Sequence, residues 1–179
     1  MTASAPARLR RAVIGLGANL GEADAALRHA AAALLADAGT ALVAASHIWT
    51  SAPVDSSGPD YRNAVLILDT PRAPPELLAH LQAIELDHGR ERPYRNAPRT
   101  LDLDLLLSFV AADGDWLPET IADGARLIVP HPRMHERRFV LGPLAEIAPE
   151  LVIPGHGRVA DALAALTGQP AAATPFALI

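Results

Sequence analysis

The stretch of sequence that decides the fold is LDLDLLL, residues 101–107, in which aspartate and leucine alternate before the run becomes wholly apolar. In an extended strand, alternate side chains lie on the same face, about 7 Å apart. We therefore expect a strand over 100–107 with Asp102 and Asp104 on one face. The leucines between them face the opposite way, into a hydrophobic core.

An arginine cluster lies immediately before this strand. It consists of Arg90, Arg92, Arg95 and Arg99. The chain contains no lysine, so any phosphate contact is made by guanidinium groups, which bind phosphate oxygens in a bidentate manner. Two carboxylates beside such a cluster indicate a site for a polyanion carried with divalent metal, the usual setting of phosphoryl transfer.

The paired acids also allow a simpler interpretation, a surface strand with solvated carboxylates on its outer face. The metal site is favoured because leucine fills the other face, and because the arginine cluster and Glu85, at the end of a predicted helix, flank the acids. Two Mg²⁺ ions about 4 Å apart, bridged by Asp102 and Asp104, suit this spacing.

Strands and helices alternate along the chain up to this point. Strands are predicted at 12–16, 41–49 and 64–68, and helices at 22–38 and 74–88. With the acidic strand last, the order is β-α-β-β-α-β. This order is the ferredoxin-like pattern, an α+β sandwich in which helices pack on one face of an antiparallel sheet.

The C-terminal part is expected to add smaller elements to this core. We predict a hairpin or surface loop over 108–125, a strand at 126–129, a short helix within 132–144 and a small helix near 159–166. The alanine- and proline-rich end is expected to be weakly structured. The chain is most simply one domain over 1–179, with its core at about 12–154.

Composition restricts the class of protein. There is no cysteine, which excludes disulfides, thiolate metal sites and a cysteine nucleophile. The sequence contains no signal peptide and no run of about 20 apolar residues, so we expect a cytoplasmic protein without a membrane partner. The net charge of −5 argues against broad nucleic-acid binding, which favours basic surfaces. A monomer that acts on small molecules is the simplest expectation.

The glycine-rich segment GLGANLG, residues 15–21, follows the first predicted strand. Its G-x-G-x-x-x-G spacing is one residue off the dinucleotide-binding fingerprint, and the parallel β-α-β context is missing. We interpret the segment as a tight turn between strand and helix. A Walker A loop is excluded because that motif requires a lysine.

Residues outside the acidic strand are also candidates for ligand contact. His131 lies between two prolines at a predicted helix start and is followed by three arginines, so we expect it to contact phosphate. Asn63 can bind a heterocycle through its amide, which both donates and accepts hydrogen bonds. Tyr61 and Phe139 either stack on a flat ring or pack in the core, and the residues alone favour the core.

Four blocks of sequence resemble the 6-hydroxymethyl-7,8-dihydropterin pyrophosphokinases of folate biosynthesis. They are GLGANLG at 15–21, SAPVDSSGPDYRNAV at 51–65, IELDHGRERPYRNAPRTLDLDLLL at 84–107 and VPHPRMHERRFVLGPLAEIAPEL at 129–151. PRTLDLDLLL and VPHPRMHERRFVL together are very specific. The resemblance implies a ferredoxin-like fold and transfer of pyrophosphate from ATP to the pterin hydroxymethyl group, with release of AMP.

The resemblance also implies roles for individual residues. Asp102 and Asp104 would hold two Mg²⁺ ions along the triphosphate, and Arg90 and Arg99 would join them in catalysis. The positions that match ATP contacts are Gln82, Glu85, Arg90, Arg92, Arg95, Arg99, His131 and Arg137. The positions that match the pterin pocket are Ser51, Ala52, Val54, Tyr61, Asn63 and Phe139. In that pocket the two aromatic rings would stack on the pterin and the amide of Asn63 would bind its edge.

The chain departs from the family pattern before the acidic strand, where Asn96-Ala97 replaces a common Trp-Gly pair. Two other functions remain open from the residues alone. One is another two-metal phosphotransferase or nucleotidyltransferase of the same fold, and the other is a non-catalytic nucleotide-binding domain. Products discriminate between the enzymes, because a nucleotidyltransferase releases pyrophosphate and a pyrophosphokinase releases AMP.

Overall fold

The computed structural model of the protein describes residues 8–53, 58–89, 100–124 and 126–179. The first elements are β1 (Arg10–Ala18), α1 (Ala23–Leu35), β2 (Ala41–Ala45), β3 (His47–Ser51), β4 (Tyr61–Thr70), α2 (Pro74–Asp87) and β5 (Asp102–Ala112). They are followed by β6 (Asp115–Pro118), β7 (Ile121–Asp123), β8 (Leu127–Val129), a 3₁₀ turn (Met134–Glu136), α3 (Arg138–Ile147), β9 (Val152–Ile153), β10 (Gly157–Arg158), α4 (Val159–Ala165) and β11 (Ala171–Ala177).

A seven-stranded antiparallel sheet organises these elements. Its strand order is β11-β3-β4-β1-β5-β6, and β2 pairs with the far end of β4. The four central strands, β3-β4-β1-β5, have the order and directions of the ferredoxin-like pattern. The predicted fold class is therefore confirmed. β7 with β8, and β9 with β10, form separate two-stranded hairpins.

Each face of the sheet has its own hydrophobic core, because side chains alternate along a strand. Ile14 and Leu66 belong to the core that α1 and α2 cover. Val13 and Val65, their neighbours in sequence, belong to the core that α3 and α4 cover. Burying one such side chain contributes about 1.5–3 kcal/mol, so both faces hold the sheet together. The C-terminal helices thus turn the predicted two-layer sandwich into a three-layer one.

A β-bulge in β5 changes the direction of its side chains. Ile14 lies opposite Leu105 and Val13 lies opposite Leu107, which leaves Leu106 as the extra residue. Leu106 and Leu107 are therefore both in the core on the α3 side, although they are adjacent in sequence. Bulges twist a strand locally and are frequent next to active sites.

The predicted strand over 41–49 is wrong as a single element, because the structure divides it at Ser46. There the hydroxyl of Ser46 accepts a hydrogen bond from the Val65 N–H at 3.0 Å and donates one to the His47 carbonyl at 2.7 Å. A side chain thus replaces part of the strand ladder. The helices predicted at 22–38 and 74–88 are confirmed with shorter bounds.

The expectation of a weakly structured C-terminal end is also wrong. Residues 171–177 form β11, which pairs with β3 at the edge of the sheet. The hydroxyl of Thr174 donates to the Ile48 carbonyl at 2.7 Å, and the side chain of Leu178 is buried in the core beneath α1. Alanine and proline have low β-propensity, so the local sequence did not indicate a strand. Its partner on the sheet edge supplies the stability instead.

Candidate active site

A cavity on the face of the sheet that α3 covers collects most of the predicted site residues that the structure describes. Its volume is about 150 Å³. Its walls include Gly15, Gly17, Ser51, Ala52, Tyr61, Asn63, Val65, Asp102, Asp104, Leu106, Arg137, Phe139 and Val140. Every predicted pterin contact that the structure describes is among them, as are both predicted metal ligands. We call this space the sheet-face pocket.

Gly15 and Gly17 form the floor of the sheet-face pocket. Both lie within β1, which agrees with the strand predicted at 12–16 for Gly15, whereas the interpretation of Gly17 as part of a tight turn is wrong. Gly21, with a φ of +59°, lies in the turn that follows. Because Gly15 and Gly17 occupy alternate positions, they leave one face of the strand without side chains. Sequence reasoning missed this role, although glycine at every second position of a strand is the pattern that indicates it.

Two rows of residues cross the floor from β4 through β1 to β5. In the first row, Gly17 lies between Asn63 and Asp102. Neighbouring strands are about 4.8 Å apart, so the Cα atoms of Asn63 and Asp102 stand about 10 Å apart, with the Gly17 backbone between them. The second row consists of Val65, Gly15 and Asp104. The predicted common face of Asp102 and Asp104 is therefore confirmed, and it is the face that lines the pocket.

Asn63 is buried, and a neighbouring side chain fixes its direction. Its Nδ2 donates a hydrogen bond to the Ser51 hydroxyl oxygen at 2.9 Å. Ser51 lies on β3 opposite Tyr61 of β4, so the three side chains form one wall of the pocket. A fixed amide presents its donor and acceptor in set directions, which suits recognition of a heterocycle edge.

The start of α3 forms the opposite wall and carries a positive charge. The guanidinium carbon of Arg137 lies 5.7 Å from the centroid of the Phe139 ring, within the range of a cation–π contact. Phe139 is only partly buried and faces the pocket as well as the α3-side core. Phe139 thus packs against the core, as the residues alone favoured, and also lines the pocket; its stacking on a ring stays a prediction.

His131 is positioned by the bulge in β5. Its backbone N–H donates to the carbonyl of Leu106, the extra residue, at 2.8 Å. Burial, together with the nearby charge of Arg137, lowers the pKa of His131 from its ordinary value to about 4. The imidazole is therefore neutral near pH 7. Its Nδ1 accepts from the Arg133 N–H at 3.2 Å, so the ring proton is on Nε2.

His131 is not among the residues that line the sheet-face pocket, and Gln82 and Glu85 also lie away from its described walls. Gln82 is exposed on α2. Glu85 is buried on the same helix, where its Oε1 accepts a hydrogen bond from the Leu103 N–H at 2.7 Å and so fixes the start of β5. The predicted contacts that fall outside the described residues are Val54, Arg90, Arg92, Arg95 and Arg99. Their roles stay predictions.

The donor set of the pocket fits magnesium. Mg²⁺ prefers oxygen ligands and is usually held by one or two carboxylates together with substrate phosphates and water. Asp102 and Asp104 supply two such carboxylates on one face. Within the described ranges, no group of three or more His, Cys, Asp or Glu residues is placed to hold a metal alone. Phosphate oxygens and water would complete the coordination of a metal held by Asp102 and Asp104.

A pocket with paired carboxylates and an arginine, on the face of an antiparallel sheet, is typical of an enzyme that transfers phosphoryl groups. Comparison with known proteins identifies which family of phosphoryl-transfer enzymes this is. Residues 13–149 match the model of the 7,8-dihydro-6-hydroxymethylpterin-pyrophosphokinase (HPPK) family. The chain belongs to this family.

Curated relatives carry a corresponding name, 2-amino-4-hydroxy-6-hydroxymethyldihydropteridine pyrophosphokinase. The protein of Pseudomonas aeruginosa is 42% identical over 158 residues, which cover 88% of this chain and 92% of the relative. The Bacillus subtilis protein is 40% identical over 141 residues, which cover 78% and 79% of the two chains. This chain is accordingly a pyrophosphokinase, a transferase that moves pyrophosphate from ATP to hydroxymethyldihydropterin in folate synthesis.

Solved structures support the fold. The wild-type HPPK-DHPS of Plasmodium falciparum with pteroate superimposes with a TM-score of 0.62 at 10% identity, over 88% of this chain and 44% of that one. A second HPPK-DHPS structure, in complex with substrates, gives a TM-score of 0.60 at 11% identity, over 88% and 43%. The chain thus spans less than half the length of these neighbours. At this identity the likeness concerns the fold alone.

Proposed function

We propose that pyrophosphoryl transfer takes place in the sheet-face pocket, with the pterin against β3 and β4 and the triphosphate of ATP against β5. The observation that carries this proposal is the row in which Gly17 separates Asn63 from Asp102. In this row the Asn63 amide, proposed to bind a heterocycle, and the Asp102 carboxylate, proposed to bind a metal, lie on the two sides of a strip without side chains. The two substrates then meet over the backbone of β1.

The pterin half of the site uses the wall built by β3 and β4. The Asn63 amide binds the edge of the pterin, and its bond to Ser51 keeps the amide in one plane. Tyr61 of β4 and Phe139 of α3 both line the pocket, and the two aromatic side chains are proposed to stack on the faces of the pterin ring. Ala52 lies beside Ser51 on the same wall, and Val54 is proposed to extend it.

The phosphate half uses Arg137 and His131. The Arg137 guanidinium binds phosphate oxygens in a bidentate manner and neutralises charge that develops during transfer. Neutral His131 holds its proton on Nε2 and donates a hydrogen bond to a phosphate oxygen. We propose that Arg90 and Arg99 act with them in catalysis and that Gln82, Glu85, Arg92 and Arg95 contact ATP.

Asp102 and Asp104 are proposed to hold two Mg²⁺ ions. When bound, such ions neutralise phosphate charge and align the triphosphate for in-line displacement. The carboxylates lie beside the glycine backbone of β1, so β1 places no side chain in the space between them and the proposed pterin position. The pterin hydroxyl oxygen attacks the β-phosphorus and AMP leaves.

Partners and location follow the same proposal. ATP and hydroxymethyldihydropterin are the small-molecule substrates, and we propose a single domain that works as a monomer in the cytoplasm without nucleic acid. In the part of the chain that the structure describes, no helix has the length and apolar character needed to cross a membrane.

The proposal is tested by incubation with ATP, Mg²⁺ and 6-hydroxymethyl-7,8-dihydropterin. We expect AMP and the pterin diphosphate from the wild type. Asp102→Asn and Asp104→Asn should each lower turnover by about 100-fold or more, since each removes a charge that neutralises the transition state. Asp115→Asn is the matched control, because this exposed aspartate lies on β6, away from the pocket.

Two results contradict the proposal. Pyrophosphate in place of AMP would identify nucleotidyl transfer. Unchanged turnover in Asp102→Asn and Asp104→Asn, across a titration of Mg²⁺, would remove the carboxylates from the mechanism. Folding of each variant is checked by circular dichroism, so that a lost fold is not taken for lost chemistry.

A further inference from the structure

The side chain of Gln169, in the C-terminal tail, binds the backbone on both sides of Arg137. Its Oε1 accepts a hydrogen bond from the Arg138 N–H at 2.9 Å. Its Nε2 donates to the Glu136 carbonyl at 2.8 Å. These two groups belong to the two peptide units that flank the Arg137 Cα. One carboxamide therefore fixes both peptide planes from which the Arg137 side chain extends.

The start of α3 needs such a partner. The first N–H groups of a helix have no acceptor within the helix, and a side chain at the N-cap position usually supplies one. Here the N-cap residue is Arg137, whose guanidinium contains only donors. Gln169 supplies the acceptor from another part of the chain. Arg137 has extended backbone, with φ −117° and ψ 107°, between the 3₁₀ turn and α3. Its N–H donates to the Met134 carbonyl and its carbonyl accepts from the Leu141 N–H, and the two bonds of Gln169 hold the remaining groups of the flanking peptide units.

The tail that carries Gln169 is itself fixed to the other wall of the pocket. Two residues later it enters β11, and Ala171 pairs with Ser51, the partner of Asn63. A small cavity lies between Gln169, Phe139 and Ser51, next to the sheet-face pocket. Gln169 is thus the point at which the tail connects the β3 wall to the α3 wall.

We propose that Gln169 is a positioning residue for pyrophosphoryl transfer, which holds Arg137 at the phosphate half of the pocket. It lies outside the segment 13–149 that matches the family model. The inference rests on the proposed function of Arg137 and adds a part of the chain that the family pattern does not include.

The test compares Gln169→Met, Arg137→Ala and the double variant in steady-state kinetics. Methionine has nearly the shape of glutamine but neither hydrogen bond. We expect kcat for Gln169→Met to fall about 5- to 30-fold, because a small displacement of a charge-stabilising group is costly in the transition state. In the Arg137→Ala background the same substitution should have no further effect on kcat, since coupled residues are not additive.

Thr174→Val is the matched control. It removes the tail's hydrogen bond to Ile48 on β3 and leaves the joint at Arg137 intact. Thermal unfolding of Thr174→Val and Gln169→Met should give similar midpoints, while only Gln169→Met lowers kcat. Gln169→Glu retains the acceptor and loses the donor, so its kcat is expected to lie between those of the wild type and Gln169→Met.

Each other outcome overturns the inference. If Arg137→Ala lowers kcat and Gln169→Met does not, the positioning role is wrong and the proposed function stands. If the two substitutions lower kcat independently, Gln169 acts through general stability and not through Arg137. If Arg137→Ala leaves kcat unchanged, the role of Arg137 in the proposed function is wrong and the role of Gln169 is wrong with it.

Discussion

Asn63 and Asp102 lie in one row across the sheet, and only the bare backbone of Gly17 separates them. The two side chains come from strands on opposite sides of β1, so their Cα atoms cannot be brought closer without breaking the sheet. Their separation is set by strand spacing and not by flexible loops. Gly17 therefore defines the site as much as the two polar residues do, because it keeps the space between them free of a β1 side chain.

Gly17→Ala should lower activity without lowering stability. An added Cβ would lie 3.5 Å from the Asn63 Oδ1, an ordinary contact distance, so the fold accommodates it. The methyl group nevertheless occupies the strip where the substrates are proposed to meet. We expect kcat/KM to fall about 10- to 100-fold, the scale on which misplaced substrates lose rate. Steady-state kinetics and thermal unfolding measure the two effects.

The thermal midpoint of Gly17→Ala should stay level or rise slightly, because alanine is favoured over glycine in a strand interior by about 0.5–1 kcal/mol. A variant with normal kinetics would show that the strip between Asn63 and Asp102 is not used.

Gly142→Ala should have the opposite effect. Gly142 lies in α3, and an added Cβ would approach the Trp49 ring to 2.5 Å, far inside contact distance. The helix or the ring must move, which typically costs about 1–3 kcal/mol. Urea unfolding measures this loss. A free energy of unfolding equal to that of the wild type would mean that α3 does not pack on β3 as described.

Asn63→Ala should raise the KM for the pterin by about 10-fold or more, since a site built to hydrogen-bond one substrate loses that recognition. The KM for ATP should change little, because Asn63 lies on the other side of Gly17 from the carboxylates. Ser51→Ala removes only the bond that fixes the amide and should give a smaller rise. If Asn63→Ala raised the KM values for ATP and for the pterin equally, Asn63 would not be a specific pterin contact.

Glu85→Ala should destabilise the protein, and Glu85→Gln should not. The Leu103 N–H is bonded to Glu85 Oε1, and alanine would leave this buried donor without its partner, at a cost of about 1–3 kcal/mol. Glutamine retains an acceptor oxygen. Chemical unfolding separates the two variants. If Glu85→Ala unfolds like the wild type, the hydrogen bond does not stabilise β5.

Because of Glu146, we expect the free energy of unfolding to depend on pH in the acidic range. Burial raises its pKa, but hydrogen bonds from Trp49 and His47 outweigh burial, so the pKa of Glu146 is lowered. A carboxylate with a lowered pKa in the folded state stabilises the fold above its unfolded pKa, here 4.5, and this contribution is lost as the pH falls through the folded value.

The corresponding variant is Glu146→Gln, measured by urea unfolding at several pH values. At pH 7 we expect it to be about 1 kcal/mol less stable than the wild type, the usual value of such hydrogen bonds. The difference should shrink below pH 4.5, where the wild-type carboxylate becomes protonated. A constant difference across this window would contradict the proposed linkage.

The sequence was sufficient where a local period sets the structure. Asp102 and Asp104 alternate with leucine, and period two predicted their common face. The long helices were predictable for the same reason. Predicting that Asp102 and Asp104 share a face required only that residues 100–107 form a strand. The identity of the substrates came from the resemblance to a family, because no spacing specifies a pterin.

Prediction from sequence failed where distant partners decide the structure. The run Leu105-Leu106-Leu107 gives no indication of a bulge, which depends on the register with β1. Ser46 ends a strand only because its hydroxyl bonds to Val65. β11 exists because β3 offers it an edge. In each case the decisive hydrogen bond joins segments that are far apart in the chain.

The glycine floor has a consequence for inhibitors. A compound that seats against Gly15 and Gly17 contacts main-chain atoms, which no substitution removes. A mutation at either position acts only by adding atoms, and each added atom takes space where the substrates are proposed to meet. Resistance that arises on the floor therefore carries a loss of activity, whereas resistance that arises at the walls need not.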